Sequence, residues 1–208
     1  MTQRLFFTQD HLVADVDVLE CTPFEQQFAV VLHSTIFHPQ GGGQPFDTGW
    51  LGDSNVLKVV QEAERIVHYV DQPVALGLQQ ARVDGERRAL HTRLHSAGHL
   101  IGNAGETLGW MPIKAHHWPG EGKISFIRGE FAQNMEADAL QQQVNQWIAA
   151  DLPRQMTLQS GSREVGFGDL PPYACGGTHV QALAQVGQVT ILGLSEKKGT
   201  LSVRYSLD

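Results

Sequence analysis

The sequence predicts an α+β protein, in which a β-rich, barrel-like N-terminal domain precedes a domain with helices packed on an antiparallel sheet. Short apolar runs bounded by turn residues fill the first part of the chain, which is typical of small barrels and sandwiches. A long stretch with helical periodicity begins at Asp84, and paired strand-like runs follow it. We therefore expect one domain over residues 1–83 and a second over residues 84–208.

Length, composition and charge narrow the class of protein. The 208 residues suffice for one large or two small domains, and 41% of them are hydrophobic, as in ordinary folded proteins. A net charge of −7 argues against a general nucleic-acid coat but permits a local basic patch. The chain shows no signal-peptide pattern, no apolar run of membrane-spanning length and, with two cysteines, no disulfide framework. These features predict a cytoplasmic protein with no membrane contact and no evident obligate protein partner.

The first domain is read from its strand periodicity. Ala14–Glu20 alternates apolar and acidic residues, and Phe28–Leu32 is a continuous apolar run of the kind found in buried strands. Val56–Val60 and Ile66–Val70 flank a short polar segment and predict a hairpin.

A glycine-rich motif interrupts this series of strands. Gly41, Gly42 and Gly43 are consecutive and are followed by Gln44, with prolines on both sides. The simplest interpretation is a tight turn between strands. No Gly-Lys-Ser/Thr sequence follows, which argues against a nucleotide-phosphate loop.

The second domain begins with a predicted helix from Asp84 to about Gly109. Asp84 suits the N-cap, and apolar residues recur at alternating spacings of three and four to form one stripe. Gly98, Gly102 and Gly105 lie inside this helix, where each glycine costs about 1 kcal/mol relative to alanine. Either another element packs closely against them, or they leave a shallow floor with room for a substrate.

The later elements are predicted from the same signals. They are a hairpin of Ile113–Trp118 with Lys123–Ile127, a helix capped by Asn134 and ending near Ala150, a strand at Arg154–Gln159, and a hairpin of Val186–Leu194 with Thr200–Ser206.

Cysteine and histidine spacing predicts a metal site. Cys175 and His179 are separated by two glycines and a threonine, so that a thiolate and an imidazole can reach one ion. His91, His95 and His99 are spaced one helical turn apart, so either neighbouring pair can add two ligands from one helix face. One sulfur with imidazole nitrogens suits zinc better than calcium or magnesium. The alternatives are a chance spacing among ten histidines and a cysteine that is a small buried hydrophobe.

Two motifs carry a resemblance to a known family. The stretches at residues 94–101 (LHSAGHLI) and 175–180 (CGGTHV) resemble the zinc-ligand motifs of the editing domain of alanyl-tRNA synthetase, which also occurs in free-standing alanyl-tRNA editing proteins, the AlaX family. The glycine-rich motif resembles the one upstream of that domain. The resemblance implies that residues 84–208 form a zinc-containing editing domain, like the second additional domain of threonyl- and alanyl-tRNA synthetases. It also implies one zinc per chain, with the ligands His95, His99, Cys175 and His179.

With the ligands so chosen, His91 is expected to be a solvated residue or one that supports a ligand. Gly98, Gly102 and Thr178 are expected to lie near the substrate. Many relatives have threonine where this chain has Gly98, so a hydroxyl that could contact the amino acid is absent. No catalytic group beyond the zinc site is indicated, because the ligand helix lacks an H-E-x-x-H motif.

The implied reaction is hydrolysis of the ester that joins serine or glycine wrongly to tRNA(Ala). A synthetase pocket excludes such small competitors poorly, so a second, hydrolytic site is needed. Contacts to the tRNA backbone are expected from basic residues, or these form only a solvated face: Arg87, Arg88, Lys114 and Lys123. Two rival functions remain open, namely a non-catalytic zinc-stabilised tRNA-binding module and a zinc hydrolase of a small ester or amide.

Overall fold

The computed structural model describes residues 1–159 and 162–208, and these divide into two compact units. Residues 1–41 and 45–89 form the first unit, and residues 42–44 and 90–208 form the second. The predicted boundary at Val83 lies slightly earlier in the chain, and the three residues 42–44 of the glycine-rich motif belong to the second unit. No helix of the described residues combines the length and apolar character that crossing a bilayer requires.

Six antiparallel strands of the first unit close into a barrel in the order β2-β3-β7-β6-β5-β8, and β1 pairs in parallel with β4 in a separate two-stranded sheet. Val16 and Val18 of β2 point inward while Asp15 and Asp17 face solvent, which is the alternation seen in the sequence. The predicted hairpin is confirmed by the pairing of β6 with β7. The strands are β1 (Gln3–Arg4), β2 (Val13–Phe24), β3 (Gln27–Leu32), β4 (Ser34–Thr35), β5 (Gly49–Leu51), β6 (Ser54–Glu62), β7 (Arg65–Val70) and β8 (Gly77–Val83).

The second unit combines two helices with two antiparallel sheets, so the α+β expectation holds for this part of the chain. A four-stranded sheet has the order β14-β15-β10-β9, and a three-stranded sheet has the order β11-β12-β13. Its elements, with the helix that enters it from the first unit, are α1 (Gly85–Thr107), β9 (Trp110–His116), β10 (Lys123–Arg128), α2 (Ala137–Ala149), β11 (Arg154–Gln159), β12 (Ser162–Phe167), β13 (Tyr173–Ala174), β14 (Val189–Lys197) and β15 (Thr200–Leu207).

Of the two predicted helix N-caps, one agrees with the structure and the other does not. The backbone N–H of Arg87 donates to Oδ1 of Asp84 at 3.1 Å, so Asp84 caps α1 as expected. The expected cap of α2 was wrong: the N-cap is Glu136, and Asn134 instead donates its side-chain amide to the Glu136 carboxylate.

Packing of α1 explains its three glycines. A Cβ at Gly98 would lie 2.2 Å from Cε1 of His117, and a Cβ at Gly105 would lie 2.3 Å from Cε1 of Phe126. At Gly102 the Cβ would lie 3.0 Å from the hydroxyl oxygen of Tyr173. Each glycine therefore accommodates a ring from another element, which is the close-packing alternative. The ring contacts compensate for the low helix propensity of glycine.

Candidate metal centre

Helix α1 and the loop after β13 bring four ligand side chains together. One ligand atom from each of His95, His99, Cys175 and His179 lies within 4.8 Å of all the others. The Sγ of Cys175 is 3.4 Å from Nε2 of His95 and 3.2 Å from Nε2 of His179. Tetrahedral zinc, with its usual bond lengths, would separate sulfur and nitrogen ligands by about 3.5 Å. The four side chains can therefore hold one metal ion and are compatible with zinc.

His91 lies outside this group although it is one turn from His95. Its side chain is buried, so the expectation of a solvated residue was wrong, while the alternative that it supports a ligand stays a prediction. Spacing alone left open whether His91 and His95 or His95 and His99 form the ligand pair. In the structure, His95 and His99 are the pair that lies beside Cys175 and His179.

Hydrogen bonds fix the rings so that ligand nitrogens face the cluster. Nδ1 of His95 donates to Oε1 of Gln44 at 2.7 Å, which leaves the lone pair of Nε2 toward Cys175. Ser96 Oγ donates to the backbone carbonyl of Thr92 at 2.9 Å, so it accepts from Nδ1 of His179 at 3.2 Å. Both histidines therefore present Nε2 to the metal position, and both have an oriented partner behind them.

Gln44 connects the glycine-rich motif with the Cys175 loop. Besides the bond to His95, its Oε1 accepts from the backbone N–H of Thr178 at 2.9 Å, and its Nε2 donates to Oγ1 of Thr178 at 2.9 Å. The side chain of Gln44 is fully buried. The preceding Gly43 has a φ of +80° and its backbone oxygen accepts from the N–H of His117 at 2.9 Å. The motif is thus more than a turn between strands, because it supplies a support for a ligand.

Burial and two arginines set the protonation of the cluster. Desolvation, with the Arg163 charge second, lowers the pKa of His99 to about 3, and the pKa of His179 is likewise lowered by burial and nearby positive charge, including Arg154. Desolvation raises the pKa of the Cys175 thiol, although the N–H of Gly177 and the charge of Arg163 favour its thiolate. The imidazoles of His99 and His179 are therefore neutral, as metal binding requires, and a bound cation would stabilise the thiolate of Cys175.

The donor set of the cluster suits a metal ion. Burial keeps the imidazoles of His99 and His179 uncharged, and the Sγ of Cys175 lies 3.2 Å from Nε2 of His179. A backbone hydrogen bond with Val165 also acts on the His99 ring. Neutral imidazoles and a thiol are ligand types that zinc takes, so the residues present fit a metal ion.

The backbone around Cys175 is held tightly by its neighbours. Nη1 of Arg163, a buried residue of β12, donates to the carbonyl oxygens of Cys175 at 3.0 Å and Gly177 at 2.8 Å. A Cβ at Gly177 would lie 2.1 Å from the His95 ring, so only glycine fits there. Arg163 was missed by sequence reasoning, since a charged residue in a polar segment gave no signal of burial.

A cavity of about 480 Å³ opens beside the cluster, within the usual size range of small-molecule sites. Three of the ligands, His95, His99 and Cys175, line it, as do Gly98 and Gly102. The other lining residues come mainly from β9 and β13, with His117 and Tyr173 on its walls and Lys114 and Glu106 among its charged groups.

The remaining predicted site residues fall in different places. Thr178 is buried, where its Oγ1 accepts from Gln44 and lies 2.7 Å from Oγ1 of Thr92. Gly42 lines the cavity, whereas Gly41 belongs to the first unit.

The basic residues expected at tRNA also separate into two groups. Arg88 is buried and paired with Asp47, and its Nη2 donates to the carbonyl of Ile36, which excludes the expected contact with a tRNA backbone. Arg87 is half-buried, with its guanidinium over the ring of Phe46. Lys114 and Lys123 are both exposed.

Lys114 and Lys123 lie on one solvent-facing surface together with a residue that the sequence did not single out. Lys114 is opposite Ser125 across β9 and β10, and Lys123 is opposite Arg204 across β10 and β15. Because Lys123 and Ser125 are two residues apart on one strand, all three cations share a face of the sheet. We call Lys114, Lys123 and Arg204 the basic sheet face.

Comparison with known proteins shows which sequences this chain is similar to. No family model matches the chain. It is 30% identical to the alanyl-tRNA editing protein Aarsd1 of Mus musculus, over 87% of this chain and 52% of that protein, and 31% identical to the Rattus norvegicus protein of the same name over the same shares. It is also 30% identical to alanine–tRNA ligase of Halorubrum lacusprofundi, over 92% of this chain and 24% of the ligase.

The four-ligand cluster therefore lies in a chain that is similar to alanyl-tRNA editing proteins and, over a smaller share of the relative's length, to alanine–tRNA ligase. The chain spans about half the length of the curated Aarsd1 relatives that it matches.

Proposed function

We propose that this protein is a zinc-dependent aminoacyl-tRNA deacylase, which hydrolyses the ester between serine or glycine and tRNA(Ala). It would act in trans, on tRNA that has left the synthetase, in the cytoplasm. The observation that carries the proposal is that three of the four metal-binding side chains open onto a cavity of about 480 Å³. Similarity to the alanyl-tRNA editing proteins supplies the substrate class.

The ligand residues would be His95, His99, Cys175 and His179. A zinc ion bound there would polarise a substrate carbonyl or lower the pKa of a water molecule. The chain's own part is to orient these side chains: Gln44 holds His95, and Ser96 holds His179. Arg163 holds the loop carbonyls, which keeps Cys175 beside the cavity.

The basic sheet face suits the tRNA backbone. Lys114 lines the cavity itself, so its ammonium group can reach a phosphate close to the aminoacyl end. Lys123 and Arg204 extend the positive surface away from the cavity, along neighbouring strands. In a protein with a net charge of −7, such a local patch is the means by which RNA can be bound, and this binding should weaken as salt rises.

The test is deacylation by the purified, zinc-loaded protein of tRNA(Ala) charged with serine, glycine or alanine, with a charged minihelix and a small aminoacyl ester alongside. We expect the seryl and glycyl esters of tRNA to be hydrolysed and alanyl-tRNA(Ala) to be largely spared. Cys175→Ala, which removes a ligand, should abolish the reaction.

Two outcomes would overturn the proposal in different ways. Binding of tRNA(Ala) without release of any amino acid would indicate a non-catalytic, zinc-stabilised RNA-binding module. Equal hydrolysis of the small ester and the charged tRNA would indicate a hydrolase that does not recognise the tRNA body.

A further inference from the structure

His117 is a buried imidazole beside the ligand cluster that belongs to neither metal-ligand motif. It follows β9 and lines the same cavity as His95 and His99. Its ring stacks on that of His95, with centroids 4.4 Å apart and planes 22° apart. Because a Cβ at Gly98 would collide with this ring, the glycine at that position is what allows His117 to reach the cavity.

Tyr205 determines which nitrogen of His117 carries the proton. The Tyr205 hydroxyl donates to the carbonyl of Leu94 at 3.0 Å, so it accepts from Nδ1 of His117 at 2.7 Å. Nε2 therefore keeps a lone pair, and within residues 1–159 and 162–208 no protein group donates a hydrogen bond to it.

The charges around the cavity favour a neutral donor for this lone pair. The buried guanidinium of Arg163 donates to the carbonyl oxygens of Cys175 and Gly177, and a metal ion on the cluster would add further positive charge. A second cation placed against His117 would be repelled, whereas a hydroxyl group would not. Of serine, glycine and alanine, serine alone offers a side-chain hydroxyl.

We propose that His117 is a specificity-determining residue, whose Nε2 accepts a hydrogen bond from the serine hydroxyl of the mischarged substrate. This inference rests on the proposed function and names the residue that selects its substrate. With a glycyl or alanyl group in the cavity, this acceptor would have no side-chain hydroxyl as its donor. A site built around such an acceptor discriminates against analogues that lack the donor.

The experiment compares His117→Phe, which keeps a ring over Gly98, with His117→Gln, which can both donate to Tyr205 and accept from a substrate. For each protein, kcat/KM is measured on seryl- and glycyl-tRNA(Ala), together with the zinc content. The affinities of seryl- and glycyl-amide analogues of the aminoacyl-adenosine end, which cannot be hydrolysed, are measured in parallel.

We expect His117→Phe to lower the seryl-to-glycyl ratio by about 5- to 150-fold, the range for leaving one enclosed polar group, here the serine hydroxyl, without its hydrogen bond, with zinc content unchanged. His117→Gln should restore much of the ratio. Tyr205→Phe keeps the imidazole but removes the hydroxyl that fixes its tautomer. We expect its seryl-to-glycyl ratio to lie between those of the unaltered protein and His117→Phe.

An equal loss on both substrates, or an unchanged ratio in His117→Phe, would overturn the inference. Absence of hydrolysis by the unaltered protein would instead count against the proposed function. The amide affinities would still decide the role of His117 in that case, because they require binding and no reaction.

Discussion

Replacing Gln44 with alanine should weaken metal binding without removing a ligand. Oε1 of Gln44 accepts from Nδ1 of His95 at 2.7 Å and from the backbone N–H of Thr178 at 2.9 Å, and both donors are buried. An unpaired buried donor costs about 1–3 kcal/mol, and loss of a partner behind a ligand histidine typically lowers metal affinity about 10- to 100-fold. We therefore expect Gln44→Ala to bind zinc about 10- to 100-fold more weakly than the unaltered protein. We also expect its free energy of unfolding to be lower by about 1–3 kcal/mol.

The assay is competition for zinc against a chelator of known affinity, with urea unfolding of the same samples. Gln40→Ala is the matched control, because Gln40 precedes the glycines in the same motif and is exposed. Gln44→Glu keeps an acceptor for His95 and should retain more zinc than Gln44→Ala. If Gln44→Ala binds zinc as tightly as Gln40→Ala does, the supporting role assigned to Gln44 is wrong.

Individual contacts and charges support three other predictions. Gly177→Ala should reduce zinc content more strongly than Gly176→Ala, because a Cβ at Gly177 would lie 2.1 Å from the His95 ring; equal metal contents would refute the steric argument. Burial lowers the pKa of His68 from 6.5 to about 4. As pH falls, His68 is therefore protonated in the unfolded chain before it is protonated in the folded protein. The free energy of unfolding should decrease by about 3 kcal/mol between about pH 6.5 and pH 4. Urea unfolding at pH 7 and pH 5 should show a smaller loss of unfolding free energy for His68→Gln than for the unaltered protein. Equal losses would exclude His68 as the cause of the pH dependence. Lys123→Glu with Arg204→Glu should weaken tRNA binding and reduce its salt dependence, while hydrolysis of a small aminoacyl ester stays unchanged; a parallel loss of both would indicate a folding defect instead.

Local signals in the sequence predicted the helix and hairpins that carry the site. Asp84 and the apolar stripe are sufficient to place the start and the face of α1, and the hairpin of β9 with β10 was visible from its strand periods and turn. The convergence of the two ligand motifs was expected from their chemistry and from the family resemblance. The structure brings those four side chains together as expected.

Contacts between distant segments could not be read in the same way. Arg163, Val165 and Phe167 alternate along β12 and are all buried. Because Arg163 is charged, this alternation did not look like the buried face of a strand, and the sequence did not predict β12. The importance of His117 depends on the missing side chain of Gly98, which is a relation between two segments rather than a pattern in either one.

The membership of residues 42–44 in the second unit bears on how this site can be transferred between proteins. A fragment that begins at Asp84 would carry every ligand of the cluster but not the amide of Gln44 that orients His95. A fusion or recombination event that joins only this continuous segment to another protein would therefore move an incomplete site. A transferred segment that keeps the complete site has to include residues 42–44, which come before most of the barrel strands in the chain. The minimum length of that segment is therefore set by Gln44 and not by the metal ligands.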